Sequence, residues 1–438
     1  DMLNMVLNRF HRFFWILLVI IGAFLLLTCT DSVSSHGDIR QGDTTTIDGI
    51  KILYLSGSHY DRGYNHGFYI NSRIISLFNE FILGNLCKNN DSIYKSCLDF
   101  ALDHFEYELE FEQEAKGIID GINDAGISLF NTALQRELDV KDILLMSSIE
   151  ELYKIFNLKY GCSSISSWGE STKRDSTLRG DLIITRHWDY RRYESMMESL
   201  MLIVHNPLEN DENEWGSISW AGMIGSCSAM KKQGTGAFLD YGPNWKKDDL
   251  PNISKHRPVS LSIRKAIEKK DYNSDGLETT FDVVHALKEF VPFFSSLIHV
   301  VSKNDKDSQA IIIESDNNKK VKIRFSNDNT EVPDYHLVLT NHFRVLYPLN
   351  PDNPCPRYAG IVDSLQASSF MTRERSWRLL AGAAGQGEWN IYSVSYIPAQ
   401  NRLRCSFALY SSTKAAYDYK SGYFHLEDLF QNNNGLFY

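Results

Sequence analysis

The chain has 438 residues, a net charge of −10, 43% hydrophobic and 23% charged residues. That composition supplies an ordinary globular core, with length for two or three average domains or one large α/β unit. The acidic balance, with no basic run dense enough to follow phosphates, argues against a nucleic-acid partner.

The first segment reads as a targeting signal. Arg9, His11 and Arg12 precede the fifteen-residue apolar run Phe13 to Leu27, long for a signal-peptide core and short for a membrane span. Leu26-Leu27-Thr28-Cys29 is similar to a lipidation box with Cys29 as its acceptor. Residues 1–29 are therefore expected to export the protein (secreted, periplasmic, at the cell surface or lumenal), as a signal peptide or as an anchor leaving it membrane-attached. Residues 30 to 47 are polar and read as a linker.

A strand is expected over Ile50 to Gly57, then a helix from about Ser58 to Leu86. Helical spacing covers Ser92 to Ala125 through Leu98, Ala101, Phe105, Leu109, Ala115 and Ile118, and resumes from Asp139 to Phe156. After residue 161 the texture changes to short β-type runs at Cys162–Trp168, Leu182–Arg186, Met201–His205, Ser217–Trp220, Ser226–Met230 and Gly236–Tyr241. Helices are expected at Ser260–Glu268 and Thr280–Phe290, strands at Gln309–Glu314, Lys320–Phe325 and His336–Thr340, and a helix at Ser369–Ala383. Asn390–Tyr396 and Leu403–Tyr410 read as a closing strand pair. Strands and helices in blocks predict a layered α+β fold: a mostly helical N-terminal part, 30–161, followed by a strand-rich part, 162–438.

The cysteines are Cys29, Cys87, Cys97, Cys162, Cys227, Cys355 and Cys405, with no CxxC pair and no Cys/His metal spacing, so neither a metal nor a cofactor is expected. Cys87 and Cys97 either bridge in an oxidising compartment or are free buried thiols. Asn90-Asp91-Ser92 and Asn252-Ile253-Ser254 are glycosylation sequons. His59 and His66 read as capping or surface residues. Glu106, Glu108, Glu110, Glu112 and Glu114 read as a solvated helix face. Trp215, Trp220, Phe290, Phe293 and Phe294 read as core, with an acyl pocket as the alternative.

Cys162 carries the candidate chemistry. It follows Gly161 and opens a serine-rich strand, and Arg186-His187-Trp188-Asp189 follows one hairpin later. A thiol attacks an acyl carbon as thiolate and needs a proton acceptor. A cut between Gly161 and Cys162 would expose an α-amino group, whose pKa near ~7.7 suits that task. Gly161, without Cβ, would let the thiol approach its carbonyl for an N-to-S acyl shift. Asp189 could hold the α-ammonium, and Arg186 could lower the thiolate pKa or hold a substrate carboxylate. On local chemistry alone, an ordinary cysteine and a surface Arg/Asp pair remain the commoner readings.

Six ordered motifs add to this. They are Leu55-Ser56-Gly57-Ser58-His59-Tyr60-Asp61-Arg62-Gly63-Tyr64-Asn65-His66-Gly67, Glu114-Ala115-Lys116-Gly117-Ile118-Ile119-Asp120-Gly121-Ile122, Gly161-Cys162-Ser163-Ser164, Arg186-His187-Trp188-Asp189, Leu339-Thr340-Asn341-His342-Phe343 and Trp389-Asn390-Ile391-Tyr392-Ser393-Val394-Ser395-Tyr396-Ile397-Pro398. Together they resemble the C45 family of autoproteolytic cysteine N-terminal-nucleophile (Ntn) enzymes, the acyl-coenzyme A:6-aminopenicillanic acid acyltransferase-like group. More distantly they resemble choloylglycine hydrolases and acid ceramidase.

The resemblance implies a four-layer αββα sandwich and cleavage between Gly161 and Cys162, with the two chains remaining associated. It makes Cys162 the nucleophile, Asp189 the residue orienting its amino group, and Asn341 the oxyanion donor. An arginine, Arg373 with Arg375 as runner-up, reaches the site, and Ser164 positions the scissile carbonyl. Lys231 stands where the family has an asparagine in the pocket wall, and His187 replaces another asparagine. The implied activity is hydrolysis or transfer of an acyl group from a small N-acyl amide. The alternatives are a phospholipase B-like or ceramidase-like lipid hydrolase, or a non-catalytic membrane-tethered binding protein on the same fold.

Overall fold

The computed structural model describes residues 42–152, 161–242, 256–290, 292–305, 309–316, 320–348, 355–383, 385 and 387–431. The expected export segment with Cys29, most of the linker and the sequon at Asn252 lie outside the described residues, as does the chain from 153 to 160 just before the expected cut. No helix among the described residues is long and apolar enough to cross a membrane.

In chain order, β1 (Asp43–Ile47) and β2 (Ile50–Gly57) lead into α1 (His59–Ser76), which continues as a wider helical turn to Leu86. Next come α2 (Asp91–His104), α3 (Leu109–Asp124), the short pair β3 (Phe130–Asn131) and β4 (Arg136–Glu137), and α4 (Val140–Met146). β5 (Gly161–Ser167) spans the expected cut, and β6 (Ile183–Asp189), α5 (Glu194–Ser199), β7 (Leu200–Pro207), β8 (Trp215–Trp220), β9 (Ser228–Lys231) and β10 (Thr235–Tyr241) follow it. Then follow α6 (Val259–Glu268), α7 (Phe281–Glu289), β11 (Ser296–Ser302), β12 (Ala310–Ser315), β13 (Val321–Arg324) and β14 (His336–Thr340). The last elements are α8 (Pro356–Ala367), α9 (Arg373–Ala383), β15 (Asn390–Ile397), β16 (Arg402–Phe407), β17 (Gly422–His425) and α10 (Leu426–Gln431).

Two sheets hold the molecule together. The larger has the order β1-β2-β7-β8-β9-β10-β11-β12-β13, and the smaller the order β14-β5-β6-β15-β16-β17. They stack face to face, tied by the Ser164 and Ser166 hydroxyls on the two ring nitrogens of His299 at 2.9 and 2.8 Å. Helices α1 and α6 pack on the larger sheet, and α8 and α9 on the smaller. Tyr358, Ile361, Leu365, Leu379 and Leu380 meet Ile165, Ile183 and Val338 in that outer layer. This is the expected α+β sandwich in four layers, αββα. The part before Cys162 is mostly helical, yet its β2 runs parallel to β7 inside the larger sheet, so the two parts share one core.

The glycines of the first two motifs have a packing explanation. Ser58 starts α1 with a reciprocal cap to Asp61. Gly63 and Gly67 of α1 then lie against Gly117 and Gly121 of α3. A Cβ on Gly63 would sit 2.0 Å from the Glu114 carbonyl oxygen, and one on Gly117 2.2 Å from that of Tyr60. The helices touch backbone to backbone, which only glycine permits.

Several expectations change. The helix expected over 92–125 is two, because Phe105 leaves helical geometry and Glu106 donates its N–H to the His256 carbonyl. The glutamate stretch is not one solvated face: Glu114 is fully buried against Arg264 at 2.6 Å, and Glu108 pairs with Arg257 at 2.5 Å. His59 and His66 are buried, not surface residues. His59 bonds Glu114 and Glu212 at 3.1 Å each, and His66 accepts from the Gly222 N–H at 2.8 Å. Cys87 and Cys97 are free buried thiols that hydrogen-bond each other. Asn90 caps α2. Strands β11 and β17 and helix α8 were not expected.

Candidate active site

Antiparallel pairing of β5 and β6 sets Cys162 opposite Trp188, Ser164 opposite Arg186, and Gly161 opposite Asp189. Side chains alternate along a strand, so Cys162, Ser164, Arg186 and Trp188 share the face toward the larger sheet. Gly161 and Asp189 share the other.

On the inner face Arg186 is fully buried. Its Nε pairs with Asp240 of β10 at 3.0 Å, and Nη1 donates to the Ser228 hydroxyl at 3.0 Å and to the Tyr392 hydroxyl. Nη2 donates to the Leu239 carbonyl and to the Cys162 sulfur at 3.6 Å. Its Cζ lies 4.2 Å from the centre of the Trp188 ring. Every nitrogen of this guanidinium is therefore committed, which leaves none for a substrate carboxylate. The Cys162 side chain is fully buried. Burial, with the Asp240 charge next, pushes its thiol up to about 12 against the pull of Arg186.

The backbone of Cys162 is gripped from the other side. Its N–H donates to Asn341 Oδ1 at 2.9 Å, and its carbonyl accepts from Arg357 Nη1 at 2.8 Å. Arg357 Nη2 also donates to Asn341 Oδ1 at 2.6 Å. Asn341 Nδ2, expected to face an oxyanion, donates here to the Tyr241 carbonyl at 2.9 Å. The amide oxygen, not the amide N–H, meets Cys162.

Asp189 lies beside Gly161, whose missing Cβ would stand 3.4 Å from the Asp189 Cβ and 3.5 Å from Arg357 Nη1. Asn390 Nδ2 donates to its Oδ1 at 3.0 Å, while Oδ2 is buried without a hydrogen-bond partner. Burial raises this carboxyl to about 7, the Asn390 bond and the Arg357 charge opposing. Asp240 has the same signature: an unpartnered buried Oδ2, and a carboxyl raised by burial to about 6.

Cys162, Arg186, Asp189 and Asn341 thus converge, with Gly161 beside Asp189 and Arg357 and Ser164 on the thiol's face. Arg373 and Arg375 do not join them. Arg373 is exposed at the start of α9, and Arg375 is turned onto the carbonyls of Ser364, Ser368 and Phe370. The arginine in the site is Arg357, carried by α8. Its helix is written in the sequence as Pro356 at the first turn and Tyr358, Ile361, Val362 and Leu365 on one face. Lys231 is also elsewhere, buried on the opposite side of β9 and paired with Glu278 at 3.0 Å. Asp240, Asn390 and Tyr392 complete the site: Asn390 and Tyr392 lie in the sixth motif, where the sequence assigns them no role, and Asp240 lies in none.

His59, Glu209 and Glu212 offer three donor atoms within 4.8 Å of one another, a spacing compatible with a cation. Arg62 already pairs with both carboxylates, at 3.2 and 3.0 Å, and Lys269 with Glu212 at 3.0 Å, so the cluster is a buried ion network.

No protein-family model matches the chain. Curated relatives include protein dcd1B of Dictyostelium discoideum, 23% identical over 277 residues, 56% of this chain and 53% of that protein. An uncharacterized protein of Archaeoglobus fulgidus is 25% identical over 263 residues, 56% of this chain and 40% of that protein. The chain spans about half the length of these relatives or less. Among solved structures, the Caenorhabditis elegans N-acylethanolamine-hydrolyzing acid amidase ortholog aligns at TM-score 0.40 and 17% identity, over 54% of this chain and 93% of that one. A conjugated bile acid hydrolase mutant from Clostridium perfringens aligns at 0.35 and 11% over 60% and 93%, and penicillin V acylase from Agrobacterium tumefaciens at 0.32 and 12% over 56% and 83%.

Proposed function

We propose that this chain is a self-processing cysteine hydrolase or acyltransferase of the Ntn type. It cuts itself between Gly161 and Cys162 and then cleaves N-acyl amides through a Cys162 thioester. The observation that carries the reading is the grip on Cys162: Asn341 holds its N–H and Arg357 its carbonyl, so the future N-terminus is positioned before it is made. The same Asn341 oxygen can accept from the α-amino group after the cut. A thiol raised to about 12 and fully buried is silent in the precursor. Cleavage supplies the base it lacks, an amine with pKa near ~7.7. Cys162 then attacks the substrate carbonyl, the α-ammonium protonates the leaving amine, and water or an acceptor amine takes the acyl group.

A mostly apolar cavity of about 30 Å³, with Glu150 at its wall, lies beside Trp188, the cross-strand neighbour of Cys162, and would have to widen to take more than a small apolar group. Phe81, Tyr190, Trp220 and Met223 line it, and Met146 and Ile149 close it from the segment leading to the cut. The N-terminal piece would stay bound after cleavage through the β2–β7 pairing and the packing of α1 on β2. The expected export signal would put the enzyme outside the cytoplasm, where acyl-coenzyme A is scarce, and this supports hydrolysis over transfer.

The test is direct. Purified protein should run as two pieces on a denaturing gel, with Cys162 as a new N-terminus, and Cys162→Ala should stay intact. A wild-type chain that remains whole through prolonged incubation would overturn the reading. A panel of N-acyl amides of rising chain length then separates the amidase from the lipid hydrolase.

A further inference from the structure

The α-amino base has one gap: it does not exist until the chain is cut. Before that, the Cys162 nitrogen is an amide, and the first acyl shift still needs a group to take the thiol proton. We infer that Asp240 is the proton acceptor for Cys162 during self-cleavage. The inference rests on the self-processing reading above.

Two carboxylates near Cys162 have a buried oxygen with no hydrogen-bond partner, Asp189 and Asp240. Strand alternation separates them. Asp189 pairs opposite Gly161, on the face away from the thiol. Asp240 stands on the thiol's own face and shares Arg186 with it, the guanidinium reaching Asp240 at 3.0 Å and Sγ at 3.6 Å. The nearby histidines do not compete. His187 points to the other face and stacks on Tyr417, and both ring nitrogens of His299 are engaged by Ser164 and Ser166. The other titratable groups facing Asp240 are Arg186 and Cys162, with Tyr392 and Cys227 around the guanidinium and Arg357 acting from α8.

The step balances. The Sγ proton moves to Asp240 Oδ2 as sulfur bonds the Gly161 carbonyl carbon. The C–N bond then breaks, and the departing nitrogen takes that proton back from Asp240. The products are a Gly161 thioester on Sγ and a free Cys162 amine. Water hydrolyses the thioester to a Gly161 carboxylate and a free thiol. Moving a proton from a thiol near about 12 to a carboxylate near about 6 is uphill, so it runs together with C–S bond formation, as suits a slow single turnover.

The experiment separates making the amine from using it. Asp240→Asn is placed in the full chain, alone and together with a site-specific protease sequence ending just before Cys162. Self-cleavage of the variant should slow by about 100-fold. After the external cut, its hydrolysis of a fluorogenic N-lauroyl aminocoumarin, weakened because Asp240 also holds Arg186, should fall by about tenfold against an externally cut wild-type chain, well short of the loss in self-cleavage. Self-cleavage within about threefold of wild type would overturn the inference and leave the self-processing reading standing. A turnover loss after the external cut as large as the loss in self-cleavage would overturn it too, by giving Asp240 the same role in turnover. If Asp240→Asn does not fold, cleavage of freshly translated wild-type chain is followed between pH 5 and 8. A rate falling about tenfold per unit below the Asp240 pKa supports the inference, and a flat profile overturns it. A wild-type chain that never cleaves removes the self-processing reading itself, and the role of Asp240 with it.

Discussion

Arg357 donates to the main-chain carbonyl of Cys162 at 2.8 Å and to Asn341 Oδ1 at 2.6 Å, so one guanidinium fixes the Cys162 backbone and its amide partner together. Such charge-assisted pairs are geometrically demanding. Arg357→Ala should lower both self-cleavage and turnover by about 100-fold, and Arg357→Lys, which can satisfy one acceptor at a time, by less. Arg373→Ala, at an exposed position of α9, should stay near wild type. Gel densitometry for cleavage and an N-acyl amide assay for turnover check this. Loss of function in Arg373→Ala with Arg357→Ala intact would reverse the assignment.

Much of this was legible in the chain. The change of texture at residue 161 and the blocks of short strands gave the layered α+β class, because strand periodicity is local. Cys162, Arg186, Asp189 and Asn341 were legible because each lies in a short motif. Arg357 was not: no element is expected between Thr340 and Ser369, although the spacing of Tyr358, Ile361, Val362 and Leu365 marks a helix. Asp240 was hidden for a different reason. Its meaning comes from stacking one sheet on another, which places β10 over β6 across 54 residues of sequence. Glu114 was misplaced because a glutamate among glutamates reads as solvated, until Arg264 arrives from α6 to neutralise it.

Asn390 donates to Asp189 Oδ1 at 3.0 Å and so favours the ionised carboxyl, holding it down against burial. Asn390→Ala removes that bond, and the Asp189 pKa, already about 7, should rise further by roughly one unit. If ionised Asp189 holds the α-ammonium, the acid limb of the pH–rate profile should move to higher pH by the same amount. An unmoved limb with a simple loss of rate would show that Asn390 supports the strand and not the charge on Asp189.

Buried titratable groups predict an unusual stability profile for the uncut chain, measured on Cys162→Ala. Burial raises Asp189 to about 7, Asp240 to about 6, Glu150 to about 7, Glu151 to about 8 and Asp282 to about 6. It lowers His66 and His336 to about 4, His187 and His299 to about 3, and His205 well below its usual value. Above the ordinary histidine pKa of ~6.5, those five imidazoles are neutral in both states. The acids are then protonated only in the fold, so stability falls as pH rises toward 8. His59, whose folded pKa is raised, adds to that loss. Between about 4.5 and 6.5 the unfolded chain protonates its histidines while the fold protonates its acids, and the two slopes oppose. Below about 4.5 the acids are protonated in both states, the histidines still favour unfolding, and Glu114 and Glu212, held low by their cations, begin to lose their partners. The melting temperature should therefore plateau at mildly acidic pH and drop on both sides. A melting temperature still climbing through pH 8 would contradict it.

The α1–α3 contact is the part of the N-terminal segment least able to absorb change. At Gly117 an added Cβ would lie 2.2 Å from the Tyr60 carbonyl and 2.6 Å from the Tyr64 nitrogen, both backbone atoms that cannot rotate away. Relief requires the helices to separate. That would loosen α1 from β2 and carry Glu114 away from Arg264. Overpacking alone costs about 1–3 kcal/mol, and breaking a buried ion pair about 3–5, so Gly117→Ala should lose at least about 3 kcal/mol or fail to fold. Gly126, with open space around its Cβ position but a positive φ of 75°, is the contrast. Gly126→Ala should cost only about 1 kcal/mol of backbone strain. Urea unfolding of the two variants in the Cys162→Ala background measures both. Equal small losses would mean that the helices can part without disturbing the sheet beneath them.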